Sequence, residues 1–184
     1  THEHETTIAE HLLAGMLEWQ TGLMRDTHPV MQKYSFNGRD INKGPHHREL
    51  RGSTVGIIGY GNVGKQLKKA LDYFSIKNFV YDPFLHFDFL SNLELVKNCD
   101  LISLHVPLTN KTEFPTNNMI NEGFLEDIKG KTLINTSRGG VVDENKLIHE
   151  NNINYISDVW VGEPSPSNNI VDFALLATPH VAGH

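Results

Sequence analysis

Apolar positions change rhythm along the chain. Over residues 7–32, Ile8, Leu12, Leu13, Met16, Leu17 and Met24 recur at helical spacing. Thr6 or Thr7 is placed to cap the start of that helix, and Pro29 to bend or end it. Residues 34–51 lose the pattern among polar side chains, Gly38, Gly44 and Pro45, and read as an extended connection. From Thr54 onward, short apolar runs alternate with helical stretches. The runs at 54–58, 78–81, 101–104, 132–135 and 155–158 read as buried strands. Residues 62–74, 93–97, 121–128 and 144–150 read as helices, and a last piece at 174–177 leads into Thr178-Pro-His180. Asn117-Asn118, Asn151-Asn152 and Asn168-Asn169 read as loops or helix ends. This alternation predicts an α/β fold, a doubly wound parallel sheet covered by helices on both faces.

Composition removes several function classes. With 39% hydrophobic and 21% charged residues, the chain has the make-up of a soluble globular domain. A formal charge of -6 argues against a broad nucleic-acid surface, which needs clustered Lys and Arg. The apolar runs are strand-sized, far too short to cross a bilayer. Cys99 stands alone, so no internal disulfide forms and a reducing, cytoplasmic setting fits; it reads as a small core residue. His2, His4, His11 and the pair His46-His47 show no zinc-binding spacing, so no metal is expected. A first residue Thr1 and a last residue His184, just past a strand end, are expected of a piece of a longer protein.

Candidate chemistry begins at Gly59-Tyr-Gly61-Asn-Val-Gly64, a GxGxxG set between a strand and a helix. The first glycine permits the tight turn, the second lets a pyrophosphate approach the backbone, and the third lets helix and strand pack closely. The phosphates would meet the free N–H groups of the helix that begins near Asn62 and Val63. Asp82 ends the next strand, where an acid accepts hydrogen bonds from the adenosine ribose. Its charge, with no Arg or Lys close behind, favours NAD over NADP.

Three polar residues follow the C-terminal ends of later strands, the edge where open parallel sheets bind ligands. They are Arg138 in Asn-Thr-Ser-Arg-Gly-Gly, Glu163 in Trp-Val-Gly-Glu-Pro, and His180 in Thr-Pro-His-Val-Ala-Gly. An Arg holds a carboxylate in a fork, a His exchanges a hydroxyl proton near neutral pH, and an acid fixes the His tautomer. Together they suit hydride transfer between a nicotinamide cofactor and a small 2-hydroxy acid. A non-enzymatic NAD-sensing module on the same fold is the competing reading.

Five motifs in order sharpen this. They are the Val55 to Gly64 stretch, Ser103-Leu-His-Val-Pro-Leu-Thr109, Leu133-Ile-Asn-Thr-Ser-Arg-Gly-Gly-Val-Val-Asp143, Asp158-Val-Trp-Val-Gly-Glu-Pro164 and Thr178-Pro-His-Val-Ala-Gly183. The sequence resembles the D-isomer-specific 2-hydroxyacid dehydrogenases. By that resemblance Arg138, Glu163 and His180 are the catalytic trio, with His180 the acid and base. Asp158 would hold the nicotinamide carboxamide, and Val106, Pro107, Thr136, Ser137 and Gly183 would line the cofactor. The insertion Phe114-Pro-Thr-Asn-Asn-Met119 and the ending at His184 tilt the resemblance toward a branch with a phosphorylated substrate, with the phosphoglycerate- and glyoxylate-type dehydrogenases, which share all five motifs, as the alternative within the family. His184 itself departs from the family pattern, where a tyrosine usually contacts substrate. The resemblance also implies that residues 1–51 form a leading helix and an extended dimerisation segment, giving a homodimer. Residues 52–184 would be the Rossmann-type NAD-binding domain, with the substrate domain lying outside this chain. The chain alone is then expected to bind NAD but turn over substrate poorly, because half of the cleft cannot close.

Overall fold

A computed structural model describes residues 2–21, 50–150 and 152–183. Helix α1 covers His2–Thr21. After a 3-10 turn at Leu50–Gly52 come β1 (Thr54–Ile58), α2 (Asn62–Tyr73), β2 (Lys77–Tyr81), α3 (Leu93–Lys97) and β3 (Leu101–Leu104). Then follow α4 (Glu122–Asp127), β4 (Thr132–Asn135), a 3-10 turn at Gly139–Val141, α5 (Glu144–Leu147), β5 (Asn154–Ser157), α6 (Asn168–Phe173) and β6 (Leu176–Ala177).

The strands form one parallel sheet in the order β2-β1-β3-β4-β5-β6. The fold is therefore the doubly wound, Rossmann-type α/β fold that the alternation predicts. Strands β3 and β4 are buried along their whole length, which is why they read as unbroken apolar runs rather than alternating ones. Each face carries its own core. On one side Leu12 and Met16 of α1 and Leu67 and Leu71 of α2 cover Val55, Ile57 and Ile134. On the other, Val96, Phe124, Leu125, Leu147 and Ile170 cover Ile58, Ile102, Leu104 and Leu133. Cys99 is buried and free, and burial pushes its thiol up to about 11, so it stays protonated and inert.

The strand order reverses between β1 and β3. The chain leaves β1 toward β2 on one side and leaves β3 toward β4 on the other, and the crevice between these connections is where such sheets bind ligands.

Several boundaries differ from the sequence reading. Helix α1 already runs from His2, so Thr6 and Thr7 lie inside it and do not cap it. The expected continuation to residue 32, the bend at Pro29, the extended connection over 34–49, and His46-His47 lie outside the described residues, as does His184. Helix α5 stops at Leu147, short of residue 150. Asn168-Asn169 stands at a helix end as expected, opening α6 with Ser167 as its N-cap. Strand β5 starts at Asn154 and ends at Ser157, leaving Asp158 just beyond it. Among the described residues, no helix is long and apolar enough to cross a membrane.

Asp100 ties the two central strands at their starts. Its Oδ2 accepts from both the N–H and the hydroxyl of Thr54, each at 2.7 Å. Partial burial raises its pKa, but the bonds from Thr54 outweigh that and hold the carboxyl below the ordinary range. A lowered carboxylate pKa gives stability that is present above the unfolded value and lost as pH falls through the folded one. Melting temperature should therefore fall at acid pH more steeply in the wild type than in Asp100→Asn, as followed by circular dichroism.

Candidate active site

The glycine loop follows directly from β1. Gly59 adopts φ +97, and a Cβ there would lie 2.4 Å from the His105 carbonyl oxygen. A Cβ on Gly64 would lie 2.2 Å from Gly59 O, so α2 begins almost against the turn. Gly61 is different. Nothing lies within 4 Å of where its Cβ would stand, so the backbone is open to an approaching ligand. The first N–H groups of α2, at Asn62, Val63 and Gly64, face outward from the helix start without intrahelical acceptors.

Asp82 closes this loop from β2. Its Oδ2 accepts from Tyr60 N–H at 2.9 Å and its Oδ1 from Phe84 N–H at 3.0 Å. The carboxylate thus fixes the glycine loop and its own turn, and each oxygen keeps a lone pair for a further donor. Beside it opens a cavity of about 600 Å³ lined by Gly59, Gly61, Asp82, Val106 and Pro107 among others. Phe84 and Phe114, in edge contact at 5.3 Å, contribute aromatic walls. Phe114 comes from the insertion singled out in the sequence. Thr116 anchors that insertion, its hydroxyl donating to the Pro107 carbonyl and accepting from Thr109 N–H. A mostly apolar cavity ending on an acid and an open glycine backbone fits an adenosine with its diphosphate.

The second region sits at the ends of β4, β5 and β6. Here the structure brings Glu163 and His180 together, with Glu163 Oε2 2.7 Å from His180 Nδ1. Glu163 Oε1 accepts from Trp160 N–H at 2.7 Å. Partial burial raises the Glu163 carboxyl, but the bonds from His180 and Trp160 outweigh it and leave the group below the ordinary carboxylate range. An ionised carboxylate accepts only, so the neutral imidazole carries its proton on Nδ1 and leaves Nε2 as the basic nitrogen. Both residues line a cavity of about 430 Å³ with Trp160, Pro164, Val171 and Thr178.

His180 sits at φ +57, unusual for a residue with a Cβ. Asp158, 2% exposed, enforces that turn. Its Oδ1 accepts from the Thr178 hydroxyl at 2.6 Å and from Val181 N–H at 2.9 Å, and its Oδ2 accepts from Ala182 N–H at 2.9 Å. One of its four lone pairs remains for a ligand. Helix α1 backs the same loop, with His11 against the Thr178 hydroxyl and His4 against the Gly183 carbonyl.

Arg138 is exposed and makes no ion pair among the described residues; its Nη1 donates to Ser137 O at 2.6 Å. Its fork is therefore available to a carboxylate. Asn135 shapes that turn, accepting from Ser137 N–H and hydroxyl and donating to Arg138 O. Thr136 Oγ1 is buried without a partner among the described residues, a polar atom beside Ser137 and Arg138 that a bound cofactor could satisfy. Among the described residues no group of three His, Cys, Asp or Glu is gathered to hold a metal ion.

Sequence reasoning passed over His105, Glu144 and Asn135. His105 lines the larger cavity, bonds Ser103 Oγ at 2.9 Å, and burial pushes its pKa down to about 3, so it stays neutral. The signal was present: a histidine directly after an apolar strand, at the strand's C-terminal end.

The chain is 38% identical over 162 residues to the erythronate-4-phosphate dehydrogenase of Shewanella loihica, covering 83% of this chain and 43% of that protein. The same enzyme of Wigglesworthia glossinidia brevipalpis is 41% identical over 140 residues, covering 71% of this chain and 37% of the relative. The chain thus spans roughly two-fifths of the length of these curated relatives. The D-lactate dehydrogenase of Aquifex aeolicus, solved with NAD and lactic acid, superposes with a TM-score of 0.79 at 29% identity, covering 96% of this chain and 59% of that one. The family described as D-isomer specific 2-hydroxyacid dehydrogenase, NAD binding domain, matches residues 17–182, nearly the whole chain, and the chain belongs to that family.

Proposed function

We propose that this chain is the cofactor-binding part of an NAD-dependent dehydrogenase that interconverts 4-phosphoerythronate and its 2-oxo acid, a reaction of pyridoxal phosphate biosynthesis. The observation that supports it most is the Glu163–His180 pair, on the same sheet edge as the glycine loop and the exposed Arg138. Gly59, Gly61, Asn62, Val63 and Gly64 would hold the diphosphate, and Asp82 the adenosine ribose. Val106, Pro107, Thr136, Ser137, Asp158 and Gly183 would line the rest of the dinucleotide. Nicotinamide, when bound, supplies the hydride acceptor or donor.

Arg138 would fork the substrate carboxylate and so orient the carbon bearing the hydroxyl. His180 Nε2 takes the hydroxyl proton during oxidation and returns it during reduction. Glu163 holds the ring through Nδ1 and stabilises the imidazolium that forms. The remaining length of the relatives would supply a substrate domain. We further read the protein as a cytoplasmic homodimer assembled through residues 8–51.

The test uses the chain joined to the flanking regions that the longer relatives possess, with NADH formation followed by absorbance. We expect 4-phosphoerythronate to be oxidised in preference to 3-phosphoglycerate and D-lactate. His180→Gln should lower kcat by about 10²–10⁴-fold. Preference for 3-phosphoglycerate would replace the substrate; no loss in His180→Gln would remove the acid–base role.

A further inference from the structure

The turn that presents Glu163 is held from beneath by a carboxylate that hydride transfer leaves unused. Glu144 opens α5 and is 9% exposed. Its Oε1 accepts from Val161 N–H at 3.0 Å. The preceding amide, Trp160 N–H, goes to Glu163 Oε1 at 2.7 Å, and Glu163 Oε2 meets His180 Nδ1. Two successive amides of one turn are thus taken by two carboxylates, one from α5 and one from the end of the turn itself. Gly139 presses on the same turn, since a Cβ there would lie 2.1 Å from the Trp160 carbonyl carbon.

Other roles do not explain Glu144. The cap of α5 is Asp143, which accepts from Lys146 N–H. Glu144 has no ion-pair partner among the described residues. Burial pushes its carboxyl up, the Val161 N–H draws it back, and the charge of Glu163 adds to the upward push. Such a group is costly to keep next to a second carboxylate unless its hydrogen bond is needed.

We propose that Glu144 is a positioning residue: by taking the Val161 N–H it sets the turn so that Glu163 meets His180 Nδ1. It acts through the backbone and touches neither cofactor nor substrate. The proposal rests on the reading of Glu163 and His180 as the working pair. The other acid at this pair is Asp158, which grips the His180 loop through Thr178, Val181 and Ala182.

The test reads the His180 ring directly, in the chain without cofactor or substrate. Long-range nitrogen–proton correlation on histidine-labelled protein, assigned with His180→Gln, gives the fraction of the neutral ring carrying its proton on Nδ1. Glu144→Asp keeps the charge but is one methylene too short to reach Val161. Glu144→Gln keeps the reach and the acceptor oxygen but loses the charge. Glu144→Asp should lower the Nδ1–H fraction by roughly half or more, because the carboxylate that selects the tautomer is no longer aligned. In the same variant Val161 amide exchange should quicken by about tenfold, the loss of one hydrogen bond. Glu144→Gln should keep the wild-type fraction and exchange. An unchanged fraction in Glu144→Asp would overturn the proposal. A loss in Glu144→Gln equal to that in Glu144→Asp would also overturn it, since charge rather than reach would then matter. Failure of the dehydrogenase reading would appear as missing turnover, with these ring signals unaffected.

Discussion

Gly139→Ala should destabilise the chain by about 3 kcal/mol, or roughly 6–12 °C in Tm for a domain of this size. The added Cβ would lie 2.1 Å from the Trp160 carbonyl carbon, 2.3 Å from its oxygen and 2.4 Å from Val161 N. All three are backbone atoms, so no rotamer change relieves the clash. The turn carrying Arg138 and the turn carrying Glu163 must move apart. The Trp160 N–H bond to Glu163 and the Val161 N–H bond to Glu144 lie on the displaced segment. Gly52→Ala is the control. Nothing lies within 4 Å of its Cβ position, and its melting temperature should stay near wild type. Thermal melts of the two variants decide the matter, and equal melts would show that the two turns are not in fixed contact.

Asp82→Ala should collapse the discrimination between NADH and NADPH. The carboxylate occupies the end of β2 beside the larger cavity, and its two backbone bonds keep it from swinging away. A ribose bearing free hydroxyls can donate to it, whereas a 2'-phosphate brings two negative charges against it. Loss of a hydrogen bond to a charged group costs about 1.5–3 kcal/mol, roughly a tenfold to hundredfold weakening of NADH binding. NADPH loses no such bond and is relieved of repulsion, so its affinity should hold or improve. Calorimetric titration of both nucleotides into the variant measures this. A preserved preference for NADH would assign the discrimination to another residue.

Much of the fold was legible because its central strands are buried on both faces. The runs at 54–58, 101–104 and 132–135 match β1, β3 and β4 residue for residue. Boundaries were lost where the controlling interaction is tertiary. Beyond the buried Leu147, the amides of His149 and Glu150 bond three residues back, to Lys146 O and Leu147 O, as the chain turns toward β5. The first helix takes in Thr6 and Thr7, and its Leu12 and Met16 join the core that covers β1 and β4, a surface those threonines do not interrupt.

The site divided along the same line. Residues with a direct chemical meaning, such as Arg138, Glu163, His180 and Asp82, could be proposed from type and position. Residues that act by holding a turn could not. Glu144 follows a capping aspartate and looks like a solvated first-turn acid, yet it is buried on the amide of a distant turn. Asn135 looks like the polar end of a strand, yet its side chain spends both its oxygen and its nitrogen on the Arg138 turn. Asp158 is the instructive intermediate. Its motif marked it for the cofactor, while the structure shows three of its lone pairs already given to the loop around His180.

The central claim is that the crevice between β1 and β3 binds NAD through the glycine loop and Asp82. Calorimetric titration of the purified wild-type chain with NADH and with NADPH tests it most directly. Saturable binding of NADH, with NADPH weaker by at least about tenfold, is the predicted result. A chain that melts cooperatively yet binds neither nucleotide, or binds NADPH as tightly as NADH, would contradict it.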